Sequence, residues 1–234
     1  MAKNVLILGK SGSGKSASMR NFSDDDLFLI NVIDKDLPFQ EDFKYKLSTD
    51  DYAKIKAKLL GAVKTGIKTI VLDDAGYLIT NQYMRNQGQK KGNAVFELFA
   101  DIAREFWDLI NFIKYQMPKD VIVYIVMHED VDDLGGVKPM TIGKLLNDKI
   151  NIEGMHTIVF RSMKNDRNYI FRTQSNGLDI SKTPMGMFED DEIENDLKVI
   201  NKRIREFYKL DKKNKLDKKN KSDINKLDTK EEVK

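Results

Sequence analysis

One octet near the start of the chain, Gly9-Lys10-Ser11-Gly12-Ser13-Gly14-Lys15-Ser16, constrains the fold more than any other stretch. It matches G-x-x-x-x-G-K-[ST] at every fixed position, the pattern of a loop that wraps phosphate groups. Gly9 and Gly14 let the backbone turn tightly enough for successive N–H groups to face phosphate oxygens. Lys15 is placed to reach the β- and γ-phosphates, and the Ser16 hydroxyl to join the coordination of Mg²⁺. The nucleotide-contacting set is therefore Gly9, Lys10, Ser11, Gly12, Ser13, Gly14, Lys15, Ser16 and Ala17. Ahead of the loop, Val5-Leu6-Ile7-Leu8 suits a buried parallel strand. Behind it, Ser16 to Phe22 predicts a helix whose positive end faces the phosphates. Strand, loop and helix in that order imply a nucleoside triphosphate ligand.

A second chemistry-bearing stretch is Lys68-Thr69-Ile70-Val71-Leu72-Asp73-Asp74. Its middle is apolar or β-prone and runs straight into two acids, as expected of a buried strand that delivers carboxylates beside a phosphate loop. Asp73 is the expected Mg²⁺ residue. Asp74 either orients and activates the attacking water or simply forms a strand-end turn. His128 follows the apolar run Val121 to Met127, at the edge where open α/β sheets bind ligands. It is read either as a sensor of the γ-phosphate or as a capped surface histidine. The catalytic candidates are Lys15, Asp74 and His128, and the metal candidates are Ser16 and Asp73.

The remaining pattern is that of an α/β domain. Leu27 to Ile33 reads as a strand that Asp34-Lys35-Asp36 and Pro38 bring to an end. Asp50 or Asp51 can cap a helix with Tyr52, Ile55, Leu59 and Val63 on one face, closed by Gly66. Thr80 to Asn93 is polar, basic and glycine-punctuated, and is expected to be a mobile loop. Val95, Phe99, Ile102, Phe106, Leu109, Ile113 and Met117 form one helical stripe that Pro118 ends. Trp107, beside it, is read as packing. Asp130 to Thr141 is expected to be a second mobile loop. Met155 to Phe160 and Tyr169 to Thr173 read as a hairpin appended to the sheet. Ile193, Leu197, Ile200, Ile204 and Phe207 make one face of a last helix, and His156 is read as structural.

Composition sets outer limits. The chain has no cysteine, which excludes disulfides and thiolate metal sites. The run Val121 to Met127 is far too short to span a bilayer, so a cytoplasmic protein without a membrane is expected. The formal charge of +3 is uneven, because residues 209–234 hold ten lysines against six acids. Within them Leu210 to Lys215 is repeated letter for letter by Leu216 to Lys221, with too little apolar surface to fold alone. The division expected is a P-loop domain over 1–208 and a disordered basic tail over 209–234.

Asp73-Asp74-Ala75-Gly76 also fits the D-x-x-G of GTPases, which read guanine with N-K-x-D after a later strand. Here N-K-x-D occurs only in the low-complexity tail, as Asn214 to Asp217 and Asn225 to Asp228, so that class is rejected. A small-molecule kinase needs an arginine-rich lid, and the two loop candidates hold one arginine between them.

The chain resembles the phage-encoded RecA-like ATP-binding proteins associated with single-strand annealing and recombination. The resemblance rests on Gly9 to Ser16, Asn31 to Phe39, Thr69 to Asp74, Lys138-Pro139 and Gly143-Lys144. It continues through Ile152 to Met155, Phe171 to Gln174, Lys182 to Phe188 and Asn195 to Leu197. It implies a RecA-like core with one strand between the P-loop strand and the two-acid strand. It also implies ATP and Mg²⁺ as ligands, single-stranded DNA and a phage recombination or replication protein as partners, and a ring or filament of copies. Arg85, Lys90 and Lys91 would be the DNA-binding cations of the first loop. Such proteins carry a glutamate near the end of the second strand as base, where this chain has Asp34 and Asp36. They also complete the site across a subunit boundary, for which Lys144 or Arg161 would serve. The rival functional class is a nucleotide-gated interaction protein that touches no DNA.

Overall fold

The computed structural model describes residues 1–89, 91–92, 94–132, 134–143 and 145–211. Lys90, Lys144 and the tail from 212 onward lie outside the described residues. Nine strands form one sheet among those described: β1 Lys3–Gly9, β2 Phe28–Asn31, β3 Tyr45–Ser48, β4 Thr69–Asp73, β5 Ile122–Val131, β6 Val137–Pro139, β7 Ile158–Asn165, β8 Asn168–Arg172 and β9 Glu192–Glu194. The order is β3-β2-β4-β5-β1-β7-β8-β9, with β6 paired to the end of β5. Strands β3 to β7 along that order are parallel, and β8 and β9 close the edge antiparallel. One strand, β5, separates β1 from β4. This is the RecA-like α/β arrangement that the sequence leads one to expect.

Alternation along the strands explains the layers. Leu6 and Leu8 of β1, with Ile70 and Leu72 of β4, face α1 (Tyr52–Lys64), α2 (Gly76–Asn86) and α3 (Ala94–Gln116). Val5, Ile7, Val71, Tyr124 and Val126 face the other way, onto Met19, Phe22 and α4 (Leu197–Phe207). A strand buried on both sides needs apolar residues at every position, which is why β1 and β5 read as unbroken runs rather than alternating ones. Asp51 and Asp196 cap α1 and α4, each accepting two backbone N–H bonds. No helix among the described residues is long and apolar enough to cross a membrane.

Several sequence expectations are corrected. Ser16 to Phe22 is not an α-helix; only Ser16–Met19 winds, as a single 3₁₀ turn. The Ser18 hydroxyl donates to the Lys15 carbonyl at 2.6 Å, and the Arg20 and Phe22 N–H groups bond three residues back, so the turn stays tight and short. Thr80 to Asn93 is not an open loop through its first half, because α2 runs to Asn86 and a 3₁₀ turn covers Gln87–Gln89. Buried Leu78 and Ile79 anchor α2, and Tyr83 stacks on Phe99 of α3 at 5.4 Å. Asp130 to Thr141 is largely a hairpin of β5 and β6, whose turn is closed by Asp132 Oδ1 accepting from the Leu134 and Gly136 N–H groups. Strand β5 consequently passes through His128 instead of ending before it. Strand β3 was not foreseen. Trp107 is 44% exposed and packs less than expected. At the other end, Leu210 packs against the body and Asp211 accepts from Arg205 at 2.9 Å, so contacts continue past Tyr208.

Candidate nucleotide site

The C-terminal ends of β1, β4 and β5 meet beside the loop that the octet forms. Strand register places Gly9 level with His128, and Asn31 at the end of β2 level with Asp73. Gly12 and Gly14 have φ of 74° and 97°, the left-handed region that glycine adopts without a side-chain clash. Gly14 is also closely approached. A Cβ there would lie 2.7 Å from the Tyr169 ring of β8, and one on Gly9 would lie 2.5 Å from the Ser162 carbonyl. The Ser162 hydroxyl donates to the Ser13 carbonyl at 2.8 Å and ties the loop to β7.

A cleft of ≈ 280 Å³ opens over this loop, lined by Ser11, Gly12, Gly14, Lys15, Ser16, Ala17, Lys35, Asp36, Pro38, Asp74, His128 and Tyr169. Lys15 is buried, and its ammonium donates to the carbonyls of Gly9 and Lys10, each at 2.8 Å. Burial lowers its pKa, and the pull of Asp74 and Asp73 only partly opposes this. These two bonds hold the ammonium against the inside of the loop.

Asp73 and Asp74 are both 1% exposed, yet their surroundings differ. The Ser16 hydroxyl donates to Asp73 Oδ2 at 2.8 Å, and Asp73 Oδ1 is buried without a hydrogen-bond partner among the described residues. Burial, joined by the charge of Asp74, pushes the Asp73 carboxyl up to about 6. Asp74 has φ of 56°, in the left-handed region, just past the end of β4. Lys35 donates to its Oδ2 at 2.5 Å, and His128 Nε2 lies 3.5 Å from its Oδ1. Burial alone would raise the Asp74 carboxyl, but these two partners outweigh it and hold it below the ordinary value. For Lys35, burial would lower the pKa, and the bond to Asp74 more than reverses that. Tyr77 of α2 meets the His128 ring edge-on at 6.2 Å.

The residues present fit Mg²⁺. A hard divalent cation takes oxygen ligands, and a serine hydroxyl beside a carboxylate with one unpartnered oxygen offers such a pair. The loop, Lys15, Ser16, Asp73, Asp74 and His128 lie together at this sheet edge. Lys35 was missed in the sequence, since Asp34-Lys35-Asp36 was weighed only for its acids. Its signal was its place just after a strand that ends at the same sheet edge. Tyr169 was missed because nothing local in the sequence pairs β8 with the octet.

Other candidates lie elsewhere. Asp34 accepts from the Ser48 hydroxyl, away from the loop, whereas Asp36 lines the cleft. Arg161 makes two bonds to Glu129, at 2.9 and 2.8 Å, and is engaged within its own chain. Arg85 donates to Asp50 at 2.6 Å from the last turn of α2, which also corrects its placement on a mobile loop. Lys91 is exposed. His156 is buried with Nδ1 2.8 Å from the Ile152 carbonyl, and burial lowers its pKa to about 4, as suits a structural histidine.

No family profile matches the chain, and no curated protein matches it. Among solved structures it is similar to a KaiC-like protein from the hyperthermophilic archaeon Pyrococcus horikoshii, with a TM-score of 0.43 and 11% identity over 73% of this chain and 77% of that one.

Proposed function

We propose that this chain is a Mg²⁺–ATP-binding P-loop ATPase. The observation that carries the reading is the Ser16–Asp73 pair beneath the loop, with its buried, unpartnered carboxylate oxygen. Bound Mg²⁺ would neutralise phosphate charge that develops in the reaction. The loop and Lys15 would hold the phosphates, and Ser16 and Asp73 the ion. Asp74 would accept a hydrogen bond from the attacking water and His128 would report on the γ-phosphate. In that reaction the water oxygen bonds to phosphorus, the bond to the ADP oxygen breaks, and the water proton leaves with phosphate or solvent. With Asp74 already held by Lys35 and His128, turnover is expected to be slow until that contact is disturbed.

The resemblance supports a setting in phage recombination or replication beside single-stranded DNA, with exposed Lys91 as a described cation of the first loop. One observation favours the second reading, a nucleotide-gated interaction protein. Strand β5 runs from His128 to Val131 and into the β5–β6 hairpin, whose turn holds Leu134, 91% exposed, so one hairpin connects the site's edge to an apolar side chain. Steady-state hydrolysis with and without single-stranded DNA, at two salt concentrations, on protein ending at Asp211, separates the two. Salt-sensitive stimulation supports the DNA setting; tight ATP binding without stimulation supports the switch.

A further inference from the structure

We propose that Lys35 is the cation that grips the terminal phosphate of ATP, so that this chain supplies that charge from within itself. The proposal deepens the ATP reading and rests on it. Lys35 shares the cleft with Lys15, Ser16 and Asp74. Its side chain is 47% exposed while that of Asp74, 2.5 Å away, is 1% exposed. The half-exposed lysine therefore stands between the open cleft and the buried carboxylate.

Its position is built by the segment after β2. The Asn31 amide donates to the Lys35 carbonyl at 2.6 Å and its oxygen accepts from the Lys35 N–H at 3.4 Å. Between them Asp34 adopts φ of 55° and takes the Ser48 hydroxyl, which folds the chain back on itself. The Val32 N–H bonds the Asp73 carbonyl at 3.2 Å and fixes this turn to the strand end that carries both acids. The side chain is long, but its root is held.

The charges point to the ligand. Lys15 and Lys35 both line this cleft. Two ammonium groups facing one small cleft repel unless a multiply charged anion lies between them. Lys15 belongs to the loop and reaches the terminal phosphates from that side; Lys35 lies across the cleft, beside Asp74 and His128. A group present in a triphosphate and missing from a diphosphate is the chemistry that fits. Arg161, the described candidate for charge supplied by a neighbour, is bound to Glu129 of its own chain. When Lys35 turns to phosphate, Asp74 Oδ2 is released to accept from water. Arrival of the third phosphate would then itself disturb the contact that restrains Asp74.

The test compares affinities for ADP and for the β,γ-imido analogue of ATP in wild type, Lys35→Ala and Lys35→Arg, with per-subunit hydrolysis over a dilution series. Lys35→Ala should weaken the triphosphate roughly 10–100-fold and ADP by less than about twofold, the worth of one charge-assisted contact. Lys35→Arg should recover most of the loss, and the wild-type rate per subunit should not change on dilution. Equal losses for both nucleotides, or a fall in turnover with no change in their ratio, would show that Lys35 only positions Asp74. A per-subunit rate that collapses on dilution would place the decisive charge on another copy and overturn the proposal. Wild type that binds neither nucleotide would remove the ATP reading first, and this inference with it.

Discussion

Asp73 and Asp74 are neighbours in the chain and equally buried, but the regions they face are opposites. On the loop side, Asp73 has one oxygen on the Ser16 hydroxyl and the other without a partner among the described residues, and its carboxyl is pushed up to about 6. On the strand-end side, Asp74 is held by Lys35 and His128 and its carboxyl is pulled down. A protein gains nothing in stability from an unpartnered buried carboxylate, which costs free energy unless a cation completes it. On the proposed reading, the loop side offers an oxygen to a cation, and the strand-end side holds a contact that turnover would disturb.

The largest effect should come from removing the loop cation. Lys15→Ala is expected to weaken ATP by at least about 100-fold, since it strips the charge that the buried loop aims at phosphate. Isothermal titration with ATP would show it, and unchanged affinity would break the loop side of the comparison.

Asp73→Asn separates function from stability. Asp73 has a raised pKa in the folded chain, so its ionised form disfavours folding, fully so above about pH 6. That penalty fades as pH falls from about 6 toward the ordinary carboxylate value of 3.8. The asparagine variant, free of ligand, should therefore be more stable by ~1–3 kcal/mol at pH 7.5, with the gain shrinking by pH 5. Melting curves across that range would test the sign. Asp74→Asn should act the other way. Its depressed pKa contributes stability above the ordinary value that is lost as pH falls through the folded one, so the variant should melt lower at neutral pH while turnover drops ~10–1,000-fold and ATP still binds.

Arg161→Gln should cost about 2–3 kcal/mol by stranding Glu129, whose side chain is 2% exposed, and leave turnover near wild type. Thermal melting alongside an ATPase assay would sharpen the view that Arg161 is structural. Smallest of all, Arg85→Ala removes an exposed pair with Asp50 and should shift stability by no more than ~0.5 kcal/mol. A large fall in single-stranded DNA affinity in that variant would restore Arg85 as a DNA contact.

How much of this the sequence could tell depended on whether the signal was local. The octet, the apolar run into Asp73-Asp74 and the long stripe of α3 carry their meaning within a few residues, and each stands where expected. The short turn after the octet was misread because helical propensity is a weak prior, and Ser18 satisfies a carbonyl locally. The polar second half of α2 looked like a loop because the partners that hold it, Asp50 and Phe99, lie far away in sequence. Strand β3 had only the short alternation Tyr45 to Ser48 to announce it. Lys35 was invisible for a related reason: a lone lysine between two aspartates gains meaning only when topology brings it to Asp74.

The most direct measurement is ATP affinity in wild type and Asp73→Asn, each titrated with Mg²⁺ and with EDTA at pH 7.5. Mg²⁺ should strengthen wild-type binding by roughly tenfold or more and do nothing measurable for the variant. An Asp73→Asn protein that keeps the full Mg²⁺ dependence would contradict the assignment of Ser16 and Asp73 to the ion.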